Sequence, residues 1–186
     1  DALRRYIVEG ALNLPAEVDF SQVDRLTMVA CGTASYATHV AKYWFEQIAR
    51  LPVEIDIASE FRYREPPLSP NQWAIFVSQS GETADTLAAL RYASGKVAKI
   101  IAVVNVPTSS IAREADLALP IMAGIEVGVA STKAFTCQLT TLALLALKAG
   151  VDRGHLSASP SGGCPWLSAS SSQKLAVAAM LRCRPR

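Results

Sequence analysis

The sequence predicts an α/β fold, a three-layer α/β/α sandwich with about five parallel strands. Five short runs of β-forming residues alternate along the chain with segments that have the apolar spacing of helices. Most of the runs are almost continuously apolar, which is typical of strands that are buried on both faces of a sheet. Parallel neighbours must be joined by long crossover connections, and the intervening helical segments are long enough to provide them.

The elements follow one another in a regular order. A short helix is predicted over residues 3–14, ending before Pro15, because the residue that precedes a proline disfavours the helical conformation. The second strand should be the least buried, since Glu54 and Asp56 alternate with its apolar residues. Strands are predicted at 26–31, 53–58, 73–77, 99–104 and 117–121. The further helices are predicted at 35–50, 59–64, 84–94, 107–114 and 132–149.

Composition predicts one folded domain with an appended tail. The chain has 186 residues, of which 51% are apolar, enough to build one substantial core. Residues 155–172 are rich in serine, glycine and proline and have no periodicity, and only 174–181 has the spacing of another helix. We therefore predict a domain over 1–154 and an atypical basic tail over 155–186, poorly ordered or partly helical.

The charge of the chain is unevenly distributed. The formal net charge is +2, but residues 1–152 carry thirteen basic and all sixteen acidic residues, a net charge of −3. The remaining residues carry five bases and no acid. Because the body has no basic face on which a phosphate backbone could lie, nucleic acid is not predicted as a partner.

The sequence also predicts no membrane segment, no metal and no cofactor. The longest apolar run without charge, 134–147, is shorter than a bilayer crossing and contains polar residues. The first ten residues lack the apolar core of a signal peptide, so the cytoplasm is the expected compartment. The four cysteines are too far apart for paired zinc motifs and too few for a disulfide framework, which predicts free thiols.

The segment Ser78-Gln79-Ser80-Gly81-Glu82-Thr83 lies where a predicted buried strand ends and a helix begins. Open parallel sheets bind ligands outside the carboxyl ends of their strands, and a helix N-terminus there offers free N–H groups to an anion. The hydroxyls and the amide of this segment supply hydrogen bonds, and its glycine permits close approach of the backbone. The segment therefore indicates a neutral phosphate cradle. Without a lysine at Walker spacing, it does not favour a nucleoside triphosphate.

A simpler interpretation is that these serines and threonines only cap the helix. Two other strand ends favour a binding site. Thr33 follows the first strand, and Ser131 lies at the end of the loop after the fifth strand, each entering a predicted helix. Because the carboxyl ends of parallel strands meet at one edge of the sheet, the three polar strand ends are predicted to converge on one crevice.

The motifs resemble a known family. They are ACGTASYATHVAKYWFE, EIDIASEFRYRE, VSQSGETADTLAALR, VVNVPTSSIARE and GIEVGVASTKAFTCQL. Together they resemble the first sugar isomerase (SIS) subdomain of the isomerising glutamine-fructose-6-phosphate aminotransferases, the glucosamine-6-phosphate synthases, over residues 3–154. The resemblance implies a flavodoxin-like SIS domain. It also implies that the parent enzyme makes glucosamine 6-phosphate and glutamate from fructose 6-phosphate and glutamine.

The resemblance also implies roles for individual residues. Ser78, Ser80 and Thr83 would hold the phosphate of the sugar, and Gln79 and Thr33 would contact the phosphate or the sugar. The backbone of Val129 and the side chain of Ser131 would line the sugar hydroxyls. Ala34 occupies a position where the family often has serine, and Ser35 is the nearest hydroxyl that could replace it.

Family enzymes join a glutaminase and two SIS halves, and the second half supplies the isomerase acid and base groups and the Schiff-base lysine. Residue 1 here is Asp1 where the glutaminase would begin with cysteine, and no second SIS pattern follows residue 154. The resemblance thus predicts a homodimeric parent enzyme, of which this chain binds sugar phosphate and holds no catalytic residue.

Glu126 and Lys133 are an acid/base pair by residue type, but exposed charges of this kind are more often solvated. Two rival functions remain. A regulatory SIS module that senses a phosphosugar would usually carry a helix-turn-helix before this domain, and 1–25 is too short for one. A flavin-binding electron carrier would need a platform for the isoalloxazine ring.

Overall fold

The computed structural model describes residues 2–8, 11–126 and 131–156. Its strands are β1 (Ile7–Val8), β2 (Ala11–Leu12), β3 (Leu26–Ala30), β4 (Val53–Ile57), β5 (Trp73–Ser78), β6 (Lys99–Val104) and β7 (Leu117–Pro120). Its helices are α1 (Ala2–Tyr6), α2 (Thr33–Ile48), α3 (Ala58–Arg64), α4 (Ala84–Ala93), α5 (Ser110–Glu114) and α6 (Thr132–Asp152). The five predicted strands and the helices that follow them are all present, with boundaries that agree to within three residues.

The five long strands form one parallel sheet in the order β4-β3-β5-β6-β7. Helices α2 and α6 pack on one face of the sheet, and α3, α4 and α5 cover the other. This arrangement confirms the predicted three-layer α/β/α sandwich and has the flavodoxin-like strand order. As predicted from its alternating charges, β4 is the least buried of the five strands, and it lies at one edge of the sheet.

Neighbouring residues of each central strand contribute to different cores. In β5, Ile75 faces the core shared with α2 and α6, whereas Phe76 faces the core shared with α3, α4 and α5, and both are fully buried. Adjacent side chains of a strand point to opposite faces, so a strand covered on both faces must be apolar throughout. This is why the runs in the sequence are continuous.

The order of the strands determines where a ligand can bind. The crossover that follows β3 leads to β4 on one side, and the crossover that follows β5 leads to β6 on the other. Two loops therefore diverge at the carboxyl ends of β3 and β5 and leave a crevice between them. The residues after these two strands are Cys31 to Thr33 and Gln79 to Thr83, which the sequence indicates as polar strand ends.

The N-terminal segment differs from the prediction. Helix α1 ends at Tyr6, and the next residues form a two-stranded antiparallel pair in which Ile7 lies opposite Leu12. The prediction of a helix over 3–14 is therefore wrong beyond Tyr6. Ile7 and Val8 are β-branched, and Gly10 has low helix propensity, so this sequence is better suited to a hairpin than to a continuing helix.

Helix α6 is the one helix in the described part of the chain that is long and apolar enough to cross a membrane, judged by length and composition. Its side chains Leu142, Leu145 and Ala146 are nevertheless fully buried against the rest of the domain. Close packing of α6 on α2 accounts for this burial. The apolar character of α6 is therefore that of a core helix.

Hydrogen bonds connect the C-terminal end of α6 to parts of the domain that are distant in sequence. The guanidinium of Arg153 donates to the carbonyls of Ala49 at 2.9 Å and Val23 at 2.7 Å, and the Asp152 carboxylate accepts from the Phe20 N–H at 3.0 Å. The backbone N–H groups of residues 155 and 156 still donate to the carbonyl of Gly150. The predicted tail lies almost entirely outside the described residues, so the boundary after residue 154 stays a prediction.

Candidate functional site

A cleft opens at the carboxyl ends of β3 and β5, where the strand order predicts a crevice. Its volume is about 180 Å3. Three helices, α2, α4 and α6, begin beside it and contribute lining residues at or near their N-termini. The described residues that line the cleft are Cys31, Thr33, Ala34, Val77, Ser78, Gln79, Ser80, Thr83, Ser131 and Gln138.

Hydrogen bonds to serine and threonine hydroxyls stabilise the conformation of the loop after β5. The backbone N–H of Gly81 donates to Ser78 Oγ at 3.0 Å, and Ser78 Oγ lies 3.1 Å from Thr83 Oγ1. Ser80 Oγ accepts from the N–H of Glu82 at 3.2 Å, which leaves the hydroxyl proton of Ser80 available to a ligand. The loop is therefore already shaped, with hydroxyl groups directed toward the cleft.

Gly81 makes this loop conformation possible for two reasons. Its φ of +68° lies in the left-handed region, which other residues adopt only at a cost. A Cβ at this position would overlap Ser109 Oγ and lie 2.5 Å from Ser109 Cβ. Ser109 in turn caps α5, because its side chain accepts from the N–H of Ala112. The backbone of the loop after β5, at Gly81, is thus packed directly against the side chain of Ser109 at the start of α5.

The N-terminus of α4 faces the cleft without a side-chain cap. Thr83 is the N-cap residue, but its hydroxyl contacts Ser78 and makes no capping hydrogen bond. Glu82 is turned away, since its carboxylate accepts from the N–H of Ser110 at 2.8 Å, and this bond holds the pKa of Glu82 below its ordinary value. Free N–H groups and the positive end of the helix dipole therefore remain for an anion.

The N-terminus of α2 is also without a side-chain cap. Gly32 precedes it with a φ of +57°, and Thr33 and Ala34 line the cleft. Ser35 does not stand in for the serine that family members often have at residue 34, because its hydroxyl donates to the carbonyl of Gly32 at 2.8 Å. Ala34 thus leaves this side of the cleft with one hydroxyl, that of Thr33.

Helix α6 differs from the other two because a carboxylate already covers its N-terminus. Glu126 accepts from the backbone N–H groups of Lys133 at 2.9 Å and Ala134 at 3.2 Å, and from the hydroxyl of Ser131 at 3.0 Å. Burial acts to raise the pKa of Glu126, but these three donors together hold it below its ordinary value. Glu126 is therefore a capping carboxylate, and the hydroxyl oxygen of Ser131 is left to accept a hydrogen bond.

Replacing Glu126 by glutamine is expected to reduce thermal stability at neutral pH and to leave it nearly unchanged in acid. Because folding lowers the pKa of Glu126, its contribution is present above the unfolded-state value and is lost as pH falls through the folded-state value. Thermal melts from pH 3 to pH 8 measure the difference between the two proteins. A difference that stays constant over this range would contradict the assigned charge.

The structure brings six of the seven predicted site residues to the cleft: Thr33, Ser78, Gln79, Ser80, Thr83 and Ser131. Val129 lies outside the described residues. None of the described lining residues carries a formal charge, so the electrostatics of the cleft come from backbone N–H groups, hydroxyls and amides. The described part of the chain also contains no group of three or more His, Cys, Asp or Glu that could hold a metal ion.

Sequence reasoning missed three of the lining residues, Cys31, Val77 and Gln138. It named Glu126 only as a member of an acid/base pair and missed its role as a capping group. Cys31 directly follows β3 and Val77 is the second-last residue of β5, so both could have been named from their position at a strand end. Gln138 lies inside a helix, and Glu126 lies outside the spacing of a capping box, so neither carried a recognisable signal.

Comparison with known proteins identifies the family of the domain. The SIS domain family matches residues 19–148. The isomerising glutamine–fructose-6-phosphate aminotransferase of Bradyrhizobium diazoefficiens is 62% identical over 159 residues, which cover 83% of this chain and 26% of that protein. The protein of the same name from Brucella abortus is 68% identical over 139 residues, covering 75% of this chain and 23% of its own length. The chain thus spans about a quarter of these curated relatives.

Solved structures give the same result. The C-terminal domain of glucosamine-fructose-6-phosphate aminotransferase from Francisella tularensis superposes with a TM-score of 0.79 and 40% identity, covering 84% of this chain and 45% of that one. A glucosamine-6-phosphate deaminase from Thermotoga maritima superposes with a TM-score of 0.63 and 25% identity, covering 70% and 41% of the two chains. With the family match over most of its length, this chain belongs to the SIS domain family.

Proposed function

We propose that this chain binds a hexose 6-phosphate, fructose 6-phosphate or glucosamine 6-phosphate, as the first isomerase half of a glucosamine-6-phosphate synthase. One observation carries the proposal: a cleft without charged lining side chains, at the carboxyl ends of β3 and β5, collects hydroxyls and an uncapped helix N-terminus. Such a site suits one small anion, because helix N–H groups bind a phosphate without a basic cluster. High identity to the curated aminotransferases favours the enzyme over a sensor module.

The phosphate is proposed to lie against α4. The Gly81 N–H donates to Ser78 Oγ, so Ser78 can direct its proton to Thr83, and Thr83 can direct its own proton to the ligand. Hydrogen bonds in such a chain polarise one another and strengthen the last donor. Ser80 supplies a second hydroxyl proton. The loop therefore presents two hydroxyl donors beside the free N–H groups of α4.

The sugar end is proposed to lie against α6. There the carboxylate of Glu126 already covers the helix N-terminus, so a second anion would be repelled and a neutral group is preferred. Ser131 donates to Glu126, which leaves its oxygen to accept from a sugar hydroxyl. Gln79 and Thr33 lie between the two ends and can contact either part of the ligand. A contact from the backbone of Val129 stays a prediction.

We propose that the complete enzyme makes glucosamine 6-phosphate from fructose 6-phosphate and glutamine. No carboxylate, imidazole or amine belongs to the described residues that line this cleft, so acid and base groups would come from the second isomerase half and ammonia from the glutaminase. The chain by itself would bind sugar phosphate without turnover. A homodimeric enzyme in the cytoplasm and a tail over 155–186 remain parts of this proposal.

Isothermal titration of the chain with glucosamine 6-phosphate tests the proposal. We expect saturable heat at millimolar ligand, and we expect Ser80→Ala to weaken binding about 3- to 10-fold, the usual worth of one hydrogen bond. Ser94→Ala is the matched control, since Ser94 is an exposed serine at the other end of α4. Absence of heat in the unaltered chain, or equal affinities in both variants, would reject the site. Production of glucosamine 6-phosphate by the chain alone would reject its binding-only role.

A further inference from the structure

Gln138 is a polar residue that is buried beside the cleft, although no hydrogen bond within the described part of the chain stabilises its side chain there. It lies on α6 with 2% of its surface exposed, and it lines the cleft together with residues from β3 and β5. Among the described residues, none makes a hydrogen bond with its side-chain amide. In each of the other eight buried polar residues in the described ranges, the side chain makes at least one hydrogen bond, to a backbone group or to another side chain.

The amide of Gln138 must face the cleft. Within the described parts of the chain, every fully enclosed side-chain nitrogen or oxygen has a hydrogen-bond partner. An amide without a partner must therefore keep some contact with open space, and the cleft is the space that Gln138 lines. An amide in this position, without a partner in the protein, lowers stability relative to an amide that is hydrogen-bonded, which is unexpected for a residue with a purely structural role.

Gln72 shows what a structural glutamine looks like in this fold. It is equally buried, with 3% of its surface exposed. Its amide nitrogen donates to Thr27 Oγ1 at 3.1 Å, and its amide oxygen accepts from the N–H of Ser69 at 3.1 Å. Both ends of its amide are thus satisfied within the protein. Gln138 has the same chemistry and nearly the same burial, but neither end of its amide has such a partner among the described residues.

We propose that Gln138 binds the ligand directly, by hydrogen bonds between its amide and a hydroxyl of the sugar, and that it distinguishes a hexose phosphate from a bare phosphate. This inference rests on the proposed function. An amide offers one donor group and one acceptor, which matches a hydroxyl, whereas a phosphate dianion needs donors alone. Ser131 lies two helical turns before Gln138, so both residues lie on the same side of α6 as the proposed sugar end.

The test compares Gln138→Leu with Gln72→Leu in the same chain, using thermal melts and titrations with glucosamine 6-phosphate and inorganic phosphate. We expect Gln138→Leu to keep or raise the melting temperature, because replacing an unpaired buried amide with an apolar group removes a penalty. Its affinity for glucosamine 6-phosphate should fall about 3- to 10-fold, the worth of one or two neutral hydrogen bonds. Its affinity for inorganic phosphate should not change. Gln72→Leu should show the reverse, a lower melting temperature with unchanged affinities.

The outcomes separate this inference from the proposed function. If the unaltered chain does not bind glucosamine 6-phosphate, the proposed function and the role of Gln138 both fail. If the unaltered chain binds and Gln138→Leu binds equally well, only the role of Gln138 fails. An equal loss of affinity for glucosamine 6-phosphate and inorganic phosphate, or a melting temperature that falls as in Gln72→Leu, would also overturn it, because Gln138 would then be structural.

Discussion

Replacing Gly81 by alanine is expected to lower the free energy of unfolding by about 3 kcal/mol. The left-handed backbone of Gly81 costs roughly 1–2 kcal/mol for a residue with a Cβ. Overlap of that Cβ with Ser109 adds roughly 1–3 kcal/mol, because the neighbouring atoms belong to the short side chain that caps α5. In a chain of this size, the melting temperature should fall by roughly 6–12 °C. Thermal and urea unfolding measure the change.

Two further variants separate the causes of that loss. Gly95 has a φ of +73° and open space where its Cβ would lie, so Gly95→Ala should show the conformational cost alone. Combining Gly81→Ala with Ser109→Gly removes the overlapping atoms, and glycine is an acceptable N-cap residue, so the double variant should regain part of the stability. Equal losses in Gly81→Ala and Gly95→Ala would show that contact with Ser109 does not constrain the loop.

Replacing Ser80 by aspartate is expected to weaken binding of a sugar phosphate by more than about 100-fold, the largest effect on binding that we predict. The new carboxylate would take the position proposed for a phosphate oxygen, and like charges at such close range repel by several kcal/mol. Stability should not fall, because an aspartate can accept from the N–H of Glu82 as Ser80 does and is favoured near the start of α4. Titration with glucosamine 6-phosphate and a thermal melt measure the two properties.

Ser80→Asn is the control for the aspartate variant, since asparagine has nearly the same size and carries no charge. It should weaken binding far less than Ser80→Asp does. If the two variants bind equally weakly, size and not charge is responsible, and the anion site does not lie at Ser80. Retained binding in Ser80→Asp would place the phosphate elsewhere in the cleft.

The fold was predictable because each central strand is buried on two faces. Residues 73–77 had to be apolar at every position, and that run is visible in the sequence. The strand order could not be derived from composition or periodicity, because each crossover could have led to either edge of the growing sheet. It was expected from the family resemblance, and it brings the strand ends that carry Thr33 and Ser80 to the same cleft.

The remaining features depend on contacts between distant residues. Nothing in the sequence shows that Gly81 packs against Ser109, or that Glu126 reaches across a loop to the start of α6. Gln138 has the helical spacing of a core residue. Its candidate role in binding becomes visible only in the structure, where its buried amide has no partner among the described residues. The N-terminal hairpin was missed because its apolar residues fit a helical period as well as two short strands.

A second cleft provides the alternative against which the site can be tested. Its volume is about 330 Å3, and it lies between the N-terminal segment and the edge strand β7. Its lining residues include Arg5, Tyr6, Asn13, Leu119 and Pro120. Arg5 supplies a positive charge there, so an anion drawn by charge alone would favour this cleft. An anion drawn by helix N–H groups and hydroxyls would favour the cleft beside α4.

The most direct test of the proposed site is a two-dimensional amide NMR titration of the chain with glucosamine 6-phosphate, in parallel with glucosamine. We predict that the phosphorylated sugar shifts the amide signals of Thr33, Ser80, Thr83 and the first turn of α4, and that glucosamine at the same concentration does not. Shifts confined to Arg5, Asn13 and Leu119, or identical shifts with both sugars, would contradict the assignment of a phosphate site to the carboxyl ends of β3 and β5.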